Sequence, residues 1–348
     1  MKVKQEKLLV CEFITGGGIS DEPLPESLAR EGALMRDALL RDLRELQQYQ
    51  ITCLHDVRLG ASIYAHKNTA VLAGEFKKTF KKALKQTDFV WLIAPETDGI
   101  LLGLTELCLA AEIKENGSIL LGCGYDATLV GTSKSLSFEA LQTAKIHTLP
   151  VYSGEDLLVQ SYFDEMTQLS VTKWVAKPED GAGCEGVRLF DTLETLREWI
   201  KQDNQYLHYF AQPYQTGIVA SFSMVCRDGK AWLLSCNQQH ICGENNTFRL
   251  ASISVNGLQT YWQRFETLAR KIAKILPDAL GYVGVDVIID TELDKIFVID
   301  INPRLTSSYV GLRESIGYNP AKIILDCILQ ANFKLPVLQR NIVEIHFE

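Results

Sequence analysis

Short apolar runs alternate with amphipathic stretches through the first third of the chain. Residues 8–13, 51–54, 89–94 and 119–121 are apolar enough to form strands buried on both faces. Between them, residues 27–47, 70–85 and 101–114 carry apolar side chains at helical spacing, the first through Leu28, Met35, Leu39, Leu43 and Leu46. This rhythm predicts a parallel, doubly wound sheet, in which ligands sit beyond the C-terminal ends of the strands. Glu12, the triple glycine at 16–18, Glu96 and Asp98 fall at that expected edge.

After residue 130 the pattern changes. Residues 133–145 read as a helix with Ser133 as N-cap ahead of Lys134, and 148–154 as a linker. A strand then runs to Lys177-Pro178, a stretch with Gly181, Gly183 and Gly186 follows, and a second apolar run begins at Val187. No helix follows these glycines, so the stretch is neither a P-loop nor a dinucleotide loop. It is a hairpin whose bare backbone N–H groups could approach phosphate, with Lys177 supplying a point charge. A flexible exposed tip would read the same way. Gln212, Pro213 and Tyr214 form a connector able to offer backbone groups to a planar base, since proline disfavours a central strand. Residues 219–225 and 231–236 bracket the turn Arg227-Asp228-Gly229-Lys230 as a hairpin, and 260–275 and 319–330 are amphipathic helices.

The most informative stretch is a second hairpin: apolar arms 281–290 and 296–304 joined by the polar turn 291–295. If Asp290 pairs with Ile296, Asp286 falls opposite Asp300, and Asn302 shares the face of Asp300. Two carboxylates directly opposite repel each other. A hard cation turns that repulsion into binding, and Mg²⁺ characteristically takes one or two carboxylates plus substrate phosphates. Strand-end residues on a wet edge are the alternative, and the hairpin alone leaves both open.

Composition narrows the classes. The net charge of -8 argues against general nucleic-acid binding, while permitting a local basic pocket. Nine cysteines without paired spacing suggest a reducing compartment and free thiols. Cys236, His240 and Cys242 cluster, but nothing completes a four-ligand zinc set. No run approaches the roughly 20 apolar residues of a membrane span, and the first apolar run is too short for a signal. The expectation is a cytoplasmic protein without membrane partners.

Taken together, Ser133-Lys134, Lys177-Pro178 with its glycines, Gln212–Tyr214 and the Asp286/Asp300/Asn302/Arg304 set resemble the ATP-grasp superfamily in order and spacing. The likeness covers about 132–330, and the first third resembles the Rossmann-like domain that precedes it. The resemblance implies an α/β pre-ATP-grasp domain at 1–130 and an α+β ATP-grasp domain at 131–348. The latter would have a small lobe at 131–210 and a large lobe at 211–348. It implies ATP held by Lys134, Lys177, Gly181, Gly183, Gly186, Gln212, Pro213 and Tyr214. It also implies Mg²⁺, with Mn²⁺ as a substitute, on Asp286, Asp300 and Asn302, and Arg304 and Lys177 as catalytic cations. Two departures stand out. Gln212 replaces a frequent acid, and Ile218, Val219 and Ala220 offer no counterpart to the glutamate that usually holds the ribose.

Glu12-Phe13, Gly16–Gly18, Glu31-Gly32, Met35, Pro95-Glu96-Thr97 and the run from Asn302 to Ser308 further resemble the tyramine–glutamate ligases of methanofuran biosynthesis. D-alanine–D-alanine-type ligases are the nearest alternative. The implied activity is ATP-dependent joining of a small carboxylate to a small amine through an acyl phosphate, in a chain able to form a homodimer. Glu12, Gly17, Ser307 and Arg313 are the expected substrate contacts, though Arg313 reads equally well as a helix-surface ion pair. A nucleotide-binding regulatory protein without ligase chemistry is the rival class, and the absent ribose acid favours it.

Overall fold

The computed structural model describes residues 5–114, 117–169, 171–178, 186–244 and 246–347. The first sheet begins with β1 (Glu6–Glu12), whose last five residues are all buried, as a central parallel strand requires. It continues through α1 (Glu26–Glu45), β2 (Tyr49–Asp56), β3 (Lys67–Val71), α2 (Phe76–Leu84), β4 (Phe89–Ile93), α3 (Ile100–Glu112) and β5 (Ile119–Leu120). The five strands are parallel in the order β3-β2-β1-β4-β5. The expected doubly wound rhythm therefore holds, with one correction. Residues 70–85 are not one helix: β3 occupies the edge of the sheet, Gly74 turns the chain at a φ of +70°, and only then does α2 begin. Val71 is the only buried residue of β3, so the strand leaves little alternation to read.

Two short helices, α4 (Tyr125–Thr132) and α5 (Lys134–Thr143), lead into a second, ten-stranded sheet. Its small-lobe part comprises β6 (Tyr152–Ser153), α6 (Gln160–Thr167), β7 (Trp174–Pro178), β8 (Arg188–Phe190), α7 (Leu193–Ile200) and β9 (Tyr209–Pro213). Here the stretch 148–154 is tied down rather than a free linker: β6 pairs with β9, and the Thr148 hydroxyl donates to the Val298 carbonyl at 2.9 Å. The antiparallel strands β7 and β8 form the expected hairpin arms. Pro213 ends β9 opposite Trp174, beyond the reach of β6, so its missing N–H costs no ladder bond on that side.

The larger part contains β10 (Ile218–Arg227), β11 (Lys230–Glu244), β12 (Thr247–Val255), α8 (Trp262–Ile275), β13 (Gly281–Asp290) and β14 (Lys295–Asn302). The chain closes with α9 (Leu312–Ile316), α10 (Pro320–Leu329) and β15 (Val343–His346). Strands β10 and β11 meet through Arg227 and Lys230, as the turn sequence predicts. The β13–β14 hairpin reaches its register by a different route from the expected one. Its turn pairs Asp290 with Lys295, one residue off, and a bulge that leaves Ile299 unpaired restores Asp286 opposite Asp300.

One continuous apolar cluster joins the two sheets. Leu39 and Leu43 of α1 and Trp91 of β4 pack with Tyr309, Leu312 and Ile324. A polar link reinforces it: the buried Asp42 accepts from the Tyr309 hydroxyl at 2.9 Å and from Arg313 at 2.8 Å. Among the described residues no helix is long and apolar enough to cross a membrane.

Across β10, β11 and β13 lies α8, whose Phe265 is fully buried and stacks on Phe222 at 5.2 Å between ring centroids. Truncation there removes a large apolar payload and leaves a cavity. Phe265→Ala is expected to cost about 3–5 kcal/mol in urea unfolding followed by circular dichroism.

Candidate active site

A cavity of about 670 Å³ opens between the two sheets, within the range usual for small-molecule sites. The C-terminal ends of β1 and β4 and one face of α1 line one side, and β7, β9 and β10–β14 the other.

In one corner of the cavity Asp286 faces Asp300 across β13 and β14. Asp286 accepts from the Asn302 amide at 2.9 Å and from the Gln239 amide at 2.8 Å. Burial and the neighbouring Asp300 push its carboxyl above the ordinary carboxylate range, and these amides and Lys134 pull it back. The Lys134 ammonium pairs with Asp300. It arrives there because Ser133 caps α5, accepting from the Leu136 N–H at 3.2 Å, and α5 packs against β14. The corner is thus a half-buried pair of acids compensated by one cation and two amides. Among the described residues no three His, Cys, Asp or Glu side chains are grouped to hold a metal. Two carboxylates with an amide oxygen fit a hard cation completed by phosphate oxygens. At the expected non-site for zinc, Cys236 lies in the core and the His240 ring engages the Ser254 hydroxyl at 2.8 Å.

At the opposite wall stands Gln212, 4% exposed, with its side-chain carbonyl buried and without a protein partner. An orphaned acceptor there fits a donor such as the exocyclic amine of a purine. Pro213 and Tyr214 line the same wall, and Tyr214 stacks with Phe248 at 6.4 Å and an interplanar angle of 13°. Lys177 of β7 also lines the cavity. Gly186 packs against Pro178, whereas Gly181 and Gly183 lie outside the described residues.

Beyond the acid corner, Arg304 forms a bidentate pair with Glu96, at 2.8 and 2.5 Å. Burial works against its charge, but the Glu96 carboxylate raises the guanidinium above its ordinary value. The pair joins the end of the first sheet to the strand-end of β14. Ser307 lines the cavity and donates to Glu31 of α1.

Two expected substrate contacts sit elsewhere, and a third is already engaged. Gly17, at a φ of +89°, packs against Val71 of β3 and serves the turn itself; a Cβ there would come within 2.7 Å of that side chain. Arg313 is spent on Asp42 and on Glu45, the latter at 2.5 Å, away from the cavity. Both of its partners lie on α1. Glu12 does line the cavity, but its carboxylate accepts from the N–H groups of Ile14 and Thr15 and from the Thr15 hydroxyl. It braces the first loop, and Gly32 lets α1 lie against it: a Cβ there would stand 2.7 Å from its oxygen.

Sequence reasoning gave no role to Gln239, Phe248 or Glu31. For the first two there was no signal, because cross-strand partners follow from register alone. For Glu31 there was one. It lies three residues after Leu28 and four before Met35, an acid on the apolar stripe of α1.

Comparison with known proteins follows the same lines. Residues 132–308 match the ATP-grasp domain family, and 49–128 the pre ATP-grasp 3 domain. Over 312 residues the chain is 26% identical to tyramine–L-glutamate ligase of Methanocaldococcus jannaschii, spanning 88% of this chain and 84% of that one. An Archaeoglobus fulgidus protein described as ATP-grasp superfamily superposes with a TM-score of 0.68 at 21% identity, covering 98% and 100% of the two chains. The biotin carboxylase domain of Hydrogenobacter thermophilus 2-oxoglutarate carboxylase, solved with MgADP, gives a TM-score of 0.71 at 14% identity over 97% and 73%. The ATP-grasp family match takes in more than half of the chain and every residue of the acid corner, and this protein belongs to the ATP-grasp family.

Proposed function

We propose that this ATP-dependent carboxylate–amine ligase activates a side-chain carboxylate of glutamate, or of a close analogue, as an acyl phosphate and couples it to tyramine or a similar aromatic amine. The observation that carries the reading is the convergence, in one cavity, of the Asp286/Asp300/Asn302 corner with the orphaned Gln212 acceptor. The relatives named for tyramine and glutamate supply the substrate pair.

A carboxylate is a poor electrophile, so the chemistry begins by bringing it against a phosphoryl group. Two anions then share a small volume, and the site must supply positive charge. Asp286, Asp300 and Asn302 would hold Mg²⁺, or Mn²⁺ with the same preference for oxygen. Bound there, the ion would neutralise charge developing on the transferred phosphoryl oxygens. Lys134 pairs with Asp300 at this corner, and Lys177 and Arg304 line the same cavity, so three cations are available to the phosphates. Gln212 would accept from the base, and Pro213 and Tyr214 would flank it.

Two outcomes follow. Asp300→Asn is expected to lower Mg²⁺-dependent ADP release at least about 100-fold while the melting temperature stays within a few degrees. Near-normal turnover in the folded variant would remove the acid corner from the mechanism. With ¹⁸O in the glutamate carboxylate, mass spectrometry is expected to find one labelled oxygen in the released phosphate and none in any AMP. Labelled AMP would mean adenylation instead.

A further inference from the structure

Four carboxylates line the cavity among the described residues: Glu12, Glu31, Asp286 and Asp300. Glu12 spends both oxygens on the Ile14 and Thr15 loop. Asp286 is held by Asn302 and Gln239, and Asp300 by Lys134. Glu31 differs from the rest. Among the described residues only the Ser307 hydroxyl donates to it, through Oε1, and Oε2 has no hydrogen-bond donor while the residue lines the cavity. The Ser307 contact also fixes its reach, because it ties α1 to the segment that follows Arg304. Glu31 is near enough to Arg304 to act on its charge.

Its surroundings are specific. Leu28 and Met35 stand one turn to either side of it on α1, and Ile14 and Ile93 close the wall from the ends of β1 and β4. Ser27 and Arg30 of α1 also line the cavity, and a carboxylate in this largely apolar wall suits an ammonium group carried on an apolar body. The guanidinium of Arg313, which could have recognised an acid on the same molecule, is committed to Asp42 and Glu45, outside the cavity.

The reaction needs such a group. An alkylamine with a pKa near that of lysine is neutral in fewer than about one molecule in a thousand at neutral pH, and only the neutral form attacks. We propose that Glu31 binds the acceptor ammonium and removes its proton, making it the general base and the amine-selecting residue of the ligase. This rests on the ligase reading above. The Glu31 carboxylate takes one proton from R–NH₃⁺. The freed nitrogen lone pair forms the C–N bond to the acyl carbon, and the C–O bond to phosphate breaks. The second nitrogen proton leaves with the phosphate, and Glu31 returns its own proton to water. Ser307 is a positioning residue in this scheme, setting the carboxylate against the approaching nitrogen.

The test separates the two half-reactions. With ATP, Mg²⁺ and glutamate, hydroxylamine intercepts the acyl phosphate as a hydroxamate, and it is largely neutral near pH 7, so it needs no base. Glu31→Gln is expected to lower kcat/KM for tyramine by about 10²–10⁴-fold while hydroxamate formation and the KM values for ATP and glutamate stay within about twofold of wild type. Glu31→Asp should recover part of the loss. An unchanged kcat/KM for tyramine would overturn the proposal. So would a parallel fall in hydroxamate formation in a variant that keeps its melting temperature, or a loss expressed in the KM for glutamate. If Glu31→Gln is unstable, Ser307→Ala decides: a loss confined to tyramine supports the assignment, and no such loss refutes it. If wild-type protein makes no hydroxamate from glutamate, the substrate reading fails, a result distinct from failure of Glu31.

Discussion

Two acids are made to face each other inside the protein, and much of the architecture serves that arrangement. At a separation of about 5 Å and an effective dielectric near 20, two carboxylates repel by about 3 kcal/mol. The chain accepts that cost at Asp286 and Asp300 and offsets it locally. Lys134 comes from a capped helix in the ATP-grasp part, Gln239 from β11 and Asn302 from the next inward position of β14. A bulge in β14 sets the opposition itself, so the sheet is bent to produce it. A region this costly persists where substrate charge is to be bound and stabilised.

The cavity exists because the two sheets are held at a fixed distance. The apolar cluster around α1 supplies most of the attachment, and two buried polar links orient it. Asp42 fastens α1 to Tyr309 and Arg313, and Glu96 fastens the end of β4 to Arg304. Both links run from the first sheet to the segment just after β14. A buried pair of this kind contributes little net stability, but losing one partner leaves the other unsatisfied. Their effect is therefore positional: the segment carrying Arg304, Thr306 and Ser307 can occupy one place only, beside α1.

Substrate recognition follows from the same docking. The first sheet and α1 contribute a largely apolar wall that also carries the Glu12 and Glu31 carboxylates and Arg30, and the second sheet contributes cations and paired acids. Only the docked arrangement sets the two walls across one space.

Much of this was legible in the sequence because it is local or periodic. Alternating apolar runs and helical stripes specify the parallel sheet, since each element must bury one recognisable face. The Asp286–Asp300 opposition was legible because strand pairing within a hairpin is local. The turn register was one residue off and the bulge compensated, so the right pairing rested on the wrong count. Lys134, Lys177, Gln212 and Arg304 were visible through the order and spacing of motifs. Tertiary structure alone decided which side chains were already spoken for. Arg313 and Gly17 had suitable chemistry but found partners on α1 and β3, whereas Glu31 had no stated role and lines the cavity with the Ser307 hydroxyl as its hydrogen-bond donor. The physical reason is that a charged side chain's availability depends on every group within a few ångströms. Those neighbours come from residues tens to hundreds of positions away.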